Sequence, residues 1–140
     1  MNITQKNVKN LPCLFINTPH INTVTCQVLV NAWSVFEQKN NNGISHFLEH
    51  MFFKWWKKYR TPKDVAIAVD SFWGQFNAFT WEQYAWYFIK SGPNNVEDSL
   101  DILWDMICNA RFPEDEIEKE KNVVLQEIAM YEDDAQDVAM

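Results

Sequence analysis

A two-layer α+β sandwich, helices packed on a mostly antiparallel sheet, is the fold class this sequence predicts, and two observations predict it. Short segments rich in Val, Ile, Thr and aromatic residues come in hairpin-like pairs. Other stretches place apolar residues every three or four positions and run too long for strands. No Pro-, Gly- or Ser-rich linker interrupts the 140 residues. One core in a single domain, residues 1–140, is therefore expected.

In chain order, strands are predicted near Cys13 to Asn17 and Thr23 to Asn31, joined as a hairpin by a turn containing Pro19. The polar loop Glu37 to Asn42 follows, and Asn41-Asn42-Gly43 supplies the entry to a helix. Ile44, Phe47, Leu48, Met51 and Phe52 form its apolar stripe, and it ends near Lys54. A helix is expected from Pro62 to Phe72, then strands near Gln75 to Thr80 and Tyr84 to Ser91, then a helix from Pro93 to Ala110. A long helix from Pro113 to about Asp133 opens with Glu114, Asp115 and Glu116, where the helix dipole favours acids.

The chemistry is concentrated in His46-Phe47-Leu48-Glu49-His50. Positions four apart on a helix share a face, about 40° out of line, so both imidazoles can reach one ion. Glu49 projects beside them. A carboxylate there can hold a metal-bound water, take its proton and pass it to a leaving amine. The order is H-x-x-E-H, the reverse of the commoner zinc-helix motif. The alternative for the pattern alone is two surface histidines beside a solvated charge; the apolar stripe next to them favours the edge of a core.

Catalytic zinc usually takes three protein ligands and leaves the fourth position to water. In the acidic helix Glu120 and Glu127 lie seven apart and point the same way within about 20°. One can ligate while the other stands behind it and orients a histidine or the ligand. A single Glu on so acidic a helix is, taken alone, better read as a solvated charge.

The remaining composition excludes several classes. A net charge of -7 and a pI near 4.8 speak against nucleic acid. Lys54, Lys57, Lys58 and Arg60 form the one basic cluster and read as a solvated helix exit. No run reaches the roughly 18 apolar residues of a membrane span, and the polar start lacks a signal-peptide core, so no membrane partner and a cytoplasmic location are expected. Cys13, Cys26 and Cys108 are odd in number and widely spaced, which suits buried reduced thiols better than a disulfide frame or a zinc knuckle. His20, in the predicted turn, reads as a surface residue.

Three blocks in order carry a resemblance: Gly43-Ile-Ser-His-Phe-Leu-Glu-His-Met-Phe-Phe-Lys54, Phe76-Asn-Ala-Phe-Thr80, and Glu120-Lys-Asn-Val-Val-Leu-Gln-Glu-Ile128 followed by Tyr131-Glu-Asp-Asp134. From about Leu11 onward the chain resembles the N-terminal part of the pitrilysin and insulinase family of zinc peptidases, which includes the mitochondrial processing peptidases. The resemblance implies the first domain of the pitrilysin-type metallopeptidase fold. It implies Zn2+ on His46, His50 and Glu127, with Glu49 as general base and Glu120 as the acid behind the ligands, the two catalytic carboxylates. Asn77 and Ala78 then fall on a strand that pairs with the extended substrate backbone. The family's enzymes are several times longer, with paired homologous domains closing a chamber, so the resemblance also implies an N-terminal fragment. Missing C-terminal domains or a second family subunit would complete it.

The chain departs from the family at its seven tryptophans, Trp33, Trp55, Trp56, Trp73, Trp81, Trp86 and Trp104, which fall where the family carries small and mostly glycine-like residues. Only 3 residues are Gly, and together with the 7 Trp they make 10 of 140, the ordinary glycine share of about 7%. Trp55-Trp56 and Trp73 follow predicted helix ends, where a left-handed residue is wanted. The expectation is a gene whose UGA codons mean glycine.

Two functions follow from these readings. The first is a zinc endopeptidase that hydrolyses extended, unfolded peptides. The second is a noncatalytic docking subunit of the same family; retention of His46, Glu49, His50 and Glu127 favours the first.

Overall fold

A computed structural model describes residues 2–31, 37–54, 56–80 and 84–133. Trp33, Trp55 and Trp81 lie outside them. Strands β1 (Asn2–Val8) and β2 (Leu11–Asn17) form an antiparallel ribbon, with Val8 opposite Leu11. Lys9 and Asn10 between them both take positive φ, 47° and 68°. That handedness matches the twist of a two-residue hairpin.

The predicted pairing of Cys13 to Asn17 with Thr23 to Asn31 is therefore corrected. β2 pairs with β1, in a polar run where no strand is expected, and β3 (Val24–Val30) pairs with a distant strand, β5 (Ala85–Ser91). Burial selects that partner. Cys26 on β3 lies opposite Ile89 on β5, and both are buried in the main core, whereas β1 and β2 are almost wholly exposed.

The three-stranded sheet has the order β3-β5-β4, with β4 spanning Gln75–Thr80. Along β5 the alternate residues Ala85, Tyr87, Ile89 and Ser91 are buried. Helix α2 (Pro62–Ser71) contributes Val65 and Val69 to the core, and α3 (Val96–Cys108), entered through a 3-10 turn at Pro93–Asn95, contributes Ile102, Leu103 and Met106. Helix α1 spans Ile44–Phe52 and α4 spans Glu114–Asp133; α1 packs against both β4 and α4.

Local chemistry explains the boundaries of α2. Thr61 caps its start, exchanging bonds with Asp64 in a capping box, and Pro62 takes the first helical position. At its end Gly74 N–H reaches back to Val69 O at 2.9 Å and Trp73 N–H to Asp70 O at 3.0 Å. This closure needs a left-handed residue at 73, and Trp73 has φ 56°.

Asp105, buried on α3, locks the segment after α1. One carboxylate oxygen accepts the backbone N–H groups of Lys58 (2.8 Å) and Tyr59 (3.2 Å), and the other accepts from Asn109 Nδ2 at 2.8 Å. Asp105→Ala is expected to lower unfolding free energy by about 2–3 kcal/mol, because these donors lose a charged acceptor. Denaturant titration measures it; a loss below about 0.5 kcal/mol would contradict the account.

Candidate metal centre

Helix α1 begins at Gly43, whose φ of 88° is left-handed. The Glu37 carboxylate accepts the N–H groups of Gly43 (2.6 Å) and Ser45 (2.8 Å), so an acid from the preceding loop satisfies the open end of the helix. Burial pushes the Glu37 carboxyl up, but the hydrogen bonds from Ser45 and Gly43 outweigh it and leave its pKa below the usual value. That anchor sets where the first turn, and so His46, is aimed.

His46 and His50 bring their Nε2 atoms to 2.9 Å of each other, with ring centroids 4.6 Å apart. Across from them, Glu127 Oε2 of α4 lies 3.5 Å from His46 Nε2 and 3.4 Å from His50 Nε2. A tetrahedral zinc with bonds near 2.05 Å asks for ligand–ligand edges of about 3.3 Å, so this triangle fits the ion. His46, His50 and Glu127 are thus placed to hold a metal together.

One turn pair earlier on α4, Glu120 is only 3% exposed. Its Oε1 accepts the Nδ1–H of His50 at 2.9 Å, and its Oε2 takes the Lys54 ammonium at 2.7 Å. A carboxylate can only accept from Nδ1, which leaves the Nε2 lone pair of His50 facing Glu127. The two glutamates that the sequence pairs by spacing thus do different things: Glu127 enters the triangle and Glu120 stands behind His50.

Burial pushes the Glu120 carboxyl up, but Lys54 and His50 hold it below the ordinary value of 4.5. Because the folded pKa is the lower one, the stabilisation is complete above the unfolded value and drains away as pH falls below about 4.5. Stability is expected to decline on acidification in that window, and Glu120→Gln should flatten the decline. Equal acid slopes for both proteins would contradict this.

Glu49 is half-buried on the same helix and, among the described residues, makes no side-chain hydrogen bond or ion pair. It lies near enough to Tyr87 that its charge, second to burial, raises the phenol pKa. Tyr87 stands opposite Ala78 in the β4–β5 ladder. Asn77 and Ala78 are on β4, at the edge of the three-stranded sheet, and among the described residues no strand lies beyond it. The Asn77 side chain accepts the Ala78 N–H at 2.9 Å.

Sequence reading missed two contributors. Glu37 sits in a loop read only as polar, and Lys54 belongs to the cluster read as solvated. The structure corrects the second: Lys54 is drawn to Glu120, because a buried carboxylate needs a countercharge. Lys58 does stay largely exposed, paired with Asp101.

A family profile described as Insulinase (Peptidase family M16) matches residues 13–140. An uncharacterized zinc protease of Bacillus subtilis is 42% identical over 122 residues, which is 87% of this chain and 30% of that protein. The beta subunit of the mitochondrial-processing peptidase of Dictyostelium discoideum is 39% identical over 100 residues, 71% of this chain and 21% of that one. Among solved structures, a protease from Helicobacter pylori superposes with a TM-score of 0.84 at 28% identity, covering 90% of this chain and 30% of its own. Pitrilysin superposes at 0.77 with 22% identity, over 92% of this chain and 14% of its own, and shares the fold. The chain therefore spans about a third or less of these relatives.

Proposed function

Because this chain belongs to the insulinase family of peptidases, family M16, we propose that its metal centre is that of a zinc endopeptidase acting on extended, unfolded peptides. The observation that carries the reading is the triangle of His46, His50 and Glu127, with Glu120 bonded to Nδ1 of His50 and Glu49 making no side-chain hydrogen bond or ion pair among the described residues. His46, His50 and Glu127 would hold the zinc, which would supply Lewis acidity toward a scissile carbonyl and a water.

The chain's own residues do the rest. Glu49, on the helix that carries both histidines, takes the proton of the attacking water and returns it to the leaving amine. Glu120 holds the His50 ring so that Nε2 is turned toward Glu127. The outer edge of β4 at Asn77 and Ala78 offers main-chain groups to which a peptide adds as a further strand. For that, the Asn77 side chain swings off the Ala78 N–H that it covers.

Residues 1–140 are read as one domain of this enzyme. By analogy with relatives roughly three times as long as this chain, the chamber is completed by further domains or by a second family subunit. No nucleic-acid partner is part of this reading. Among the described residues no helix is long and apolar enough to cross a membrane. The location proposed from sequence is the cytoplasm, which fractionation of the native cells would test.

Chelation is the direct test of the function. The protein as encoded should cleave an unstructured peptide, lose that activity when divalent ions are removed, and regain it with zinc. Cleavage that survives chelation would overturn the mechanism. Zinc binding without any cleavage would instead identify a docking subunit.

A further inference from the structure

We propose that Lys54 is a positioning residue of this centre, acting on His50 through Glu120; the proposal rests on the zinc reading above. Glu120 has two oxygens, and each has its own donor: His50 Nδ1 at 2.9 Å on Oε1 and Lys54 Nζ at 2.7 Å on Oε2. A buried carboxylate held at one oxygen alone can rotate and leaves its other oxygen desolvated and unpaired. Held at both, its plane is fixed, and with it the plane of the His50 ring and the direction of its metal-facing Nε2.

Lys54 is built for that task. It lies four residues beyond His50, just past the end of α1, and its N–H bonds Met51 O at 3.1 Å, so it stays on the histidine side of the helix exit. Its side chain is 31% exposed, against 54 to 64% for the surface-paired Lys58, Lys119 and Lys121. Four residues from the motif, a lysine thereby couples the two helices that carry the ligands.

The test is zinc affinity, measured by chelator competition on the protein as encoded, with circular dichroism and thermal midpoint recorded for every variant. Lys54→Met should weaken zinc binding about 10- to 100-fold, the range for groups that orient ligands. Lys54→Arg, which keeps the cation, should recover most of it. In a Glu120→Gln background Lys54→Met should cost little more, because its route to the metal is already cut. Wild-type affinity in Lys54→Met, or an equal loss with and without Glu120, would overturn the proposal. So would unfolding of Lys54→Met and Lys54→Gln alike, which would make the residue structural. If the unmutated protein binds no zinc, the metal reading itself falls.

The left-handed backbone at Trp73 carries a second inference: we infer that tryptophan there, and with it at residues 33, 55, 56, 81, 86 and 104, stands where the protein made in its own host carries glycine, encoded by UGA. Trp73 occupies the left-handed closing position of α2 with φ 56° and is 93% exposed, so its indole supports nothing while its backbone asks for glycine. Among the described residues the buried indole nitrogen of Trp86 has no hydrogen-bond partner. Trp104 is 60% exposed on α3. Trp56 is the demanding position, since its buried indole belongs to the main core and donates to Phe52 O at 2.7 Å.

Codons and host-made peptides decide it. UGA at all seven positions, with glycine in the corresponding peptides by mass spectrometry, is the expected result. UGG codons, or tryptophan in those peptides, would overturn it. In recombinant protein, Trp73→Gly alone should raise the thermal midpoint, and an unchanged or lower midpoint would remove the backbone argument.

Discussion

Glu49→Gln is expected to retain zinc and to lose peptide hydrolysis by about 100- to 10,000-fold, the usual worth of a general base. The amide is nearly isosteric and, among the described residues, Glu49 makes no polar contact that the change would break. Folding and metal content should therefore match those of the unmutated protein. Turnover should fall while KM changes little, because an interaction used only in the transition state is removed. A variant that cleaves at more than a tenth of the normal rate would exclude Glu49 as the base. One that also sheds zinc would mean that the carboxylate is a ligand.

The second large effect separates two carboxylates on one face of α4. Glu127→Ala takes away a corner of the triangle and should weaken zinc binding by well over 100-fold, beyond the 10- to 100-fold typical of a group that only orients a ligand. Glu120→Gln should fall within that smaller range, since it leaves His46, His50 and Glu127 in place. Their burial differs in the same sense: the Glu127 side chain is 40% exposed and that of Glu120 is 4%. Glu127→Ala should consequently cost little folding stability without metal, whereas Glu120→Gln leaves Lys54 facing a neutral group. A reversed order of zinc affinities would exchange the two roles.

The legible part of this molecule is local in origin. Helix α1, the Pro62 start of α2, the β4 and β5 strands and the acid-led α4 each depend on neighbours within a few residues, where helix period and capping chemistry act. The triangle was half legible for the same reason. His46 and His50 share a helix face by spacing alone, and Glu120 and Glu127 share one on another helix, but which carboxylate meets the imidazoles depends on how α1 lies on α4.

What the sequence determined by itself, then, is most of the elements, the polar strand β1 excepted, and the inventory of chemically competent residues, because periodicity and side-chain type are short-range properties. Only the tertiary structure decided that β2 turns back onto β1 while β3 crosses to β5, and that Lys54 leaves solvent for Glu120. The reason is physical. Strand partners are chosen by the apolar area they bury together, and the place of a charge by whether another buried charge requires it, and neither condition exists until the chain has packed.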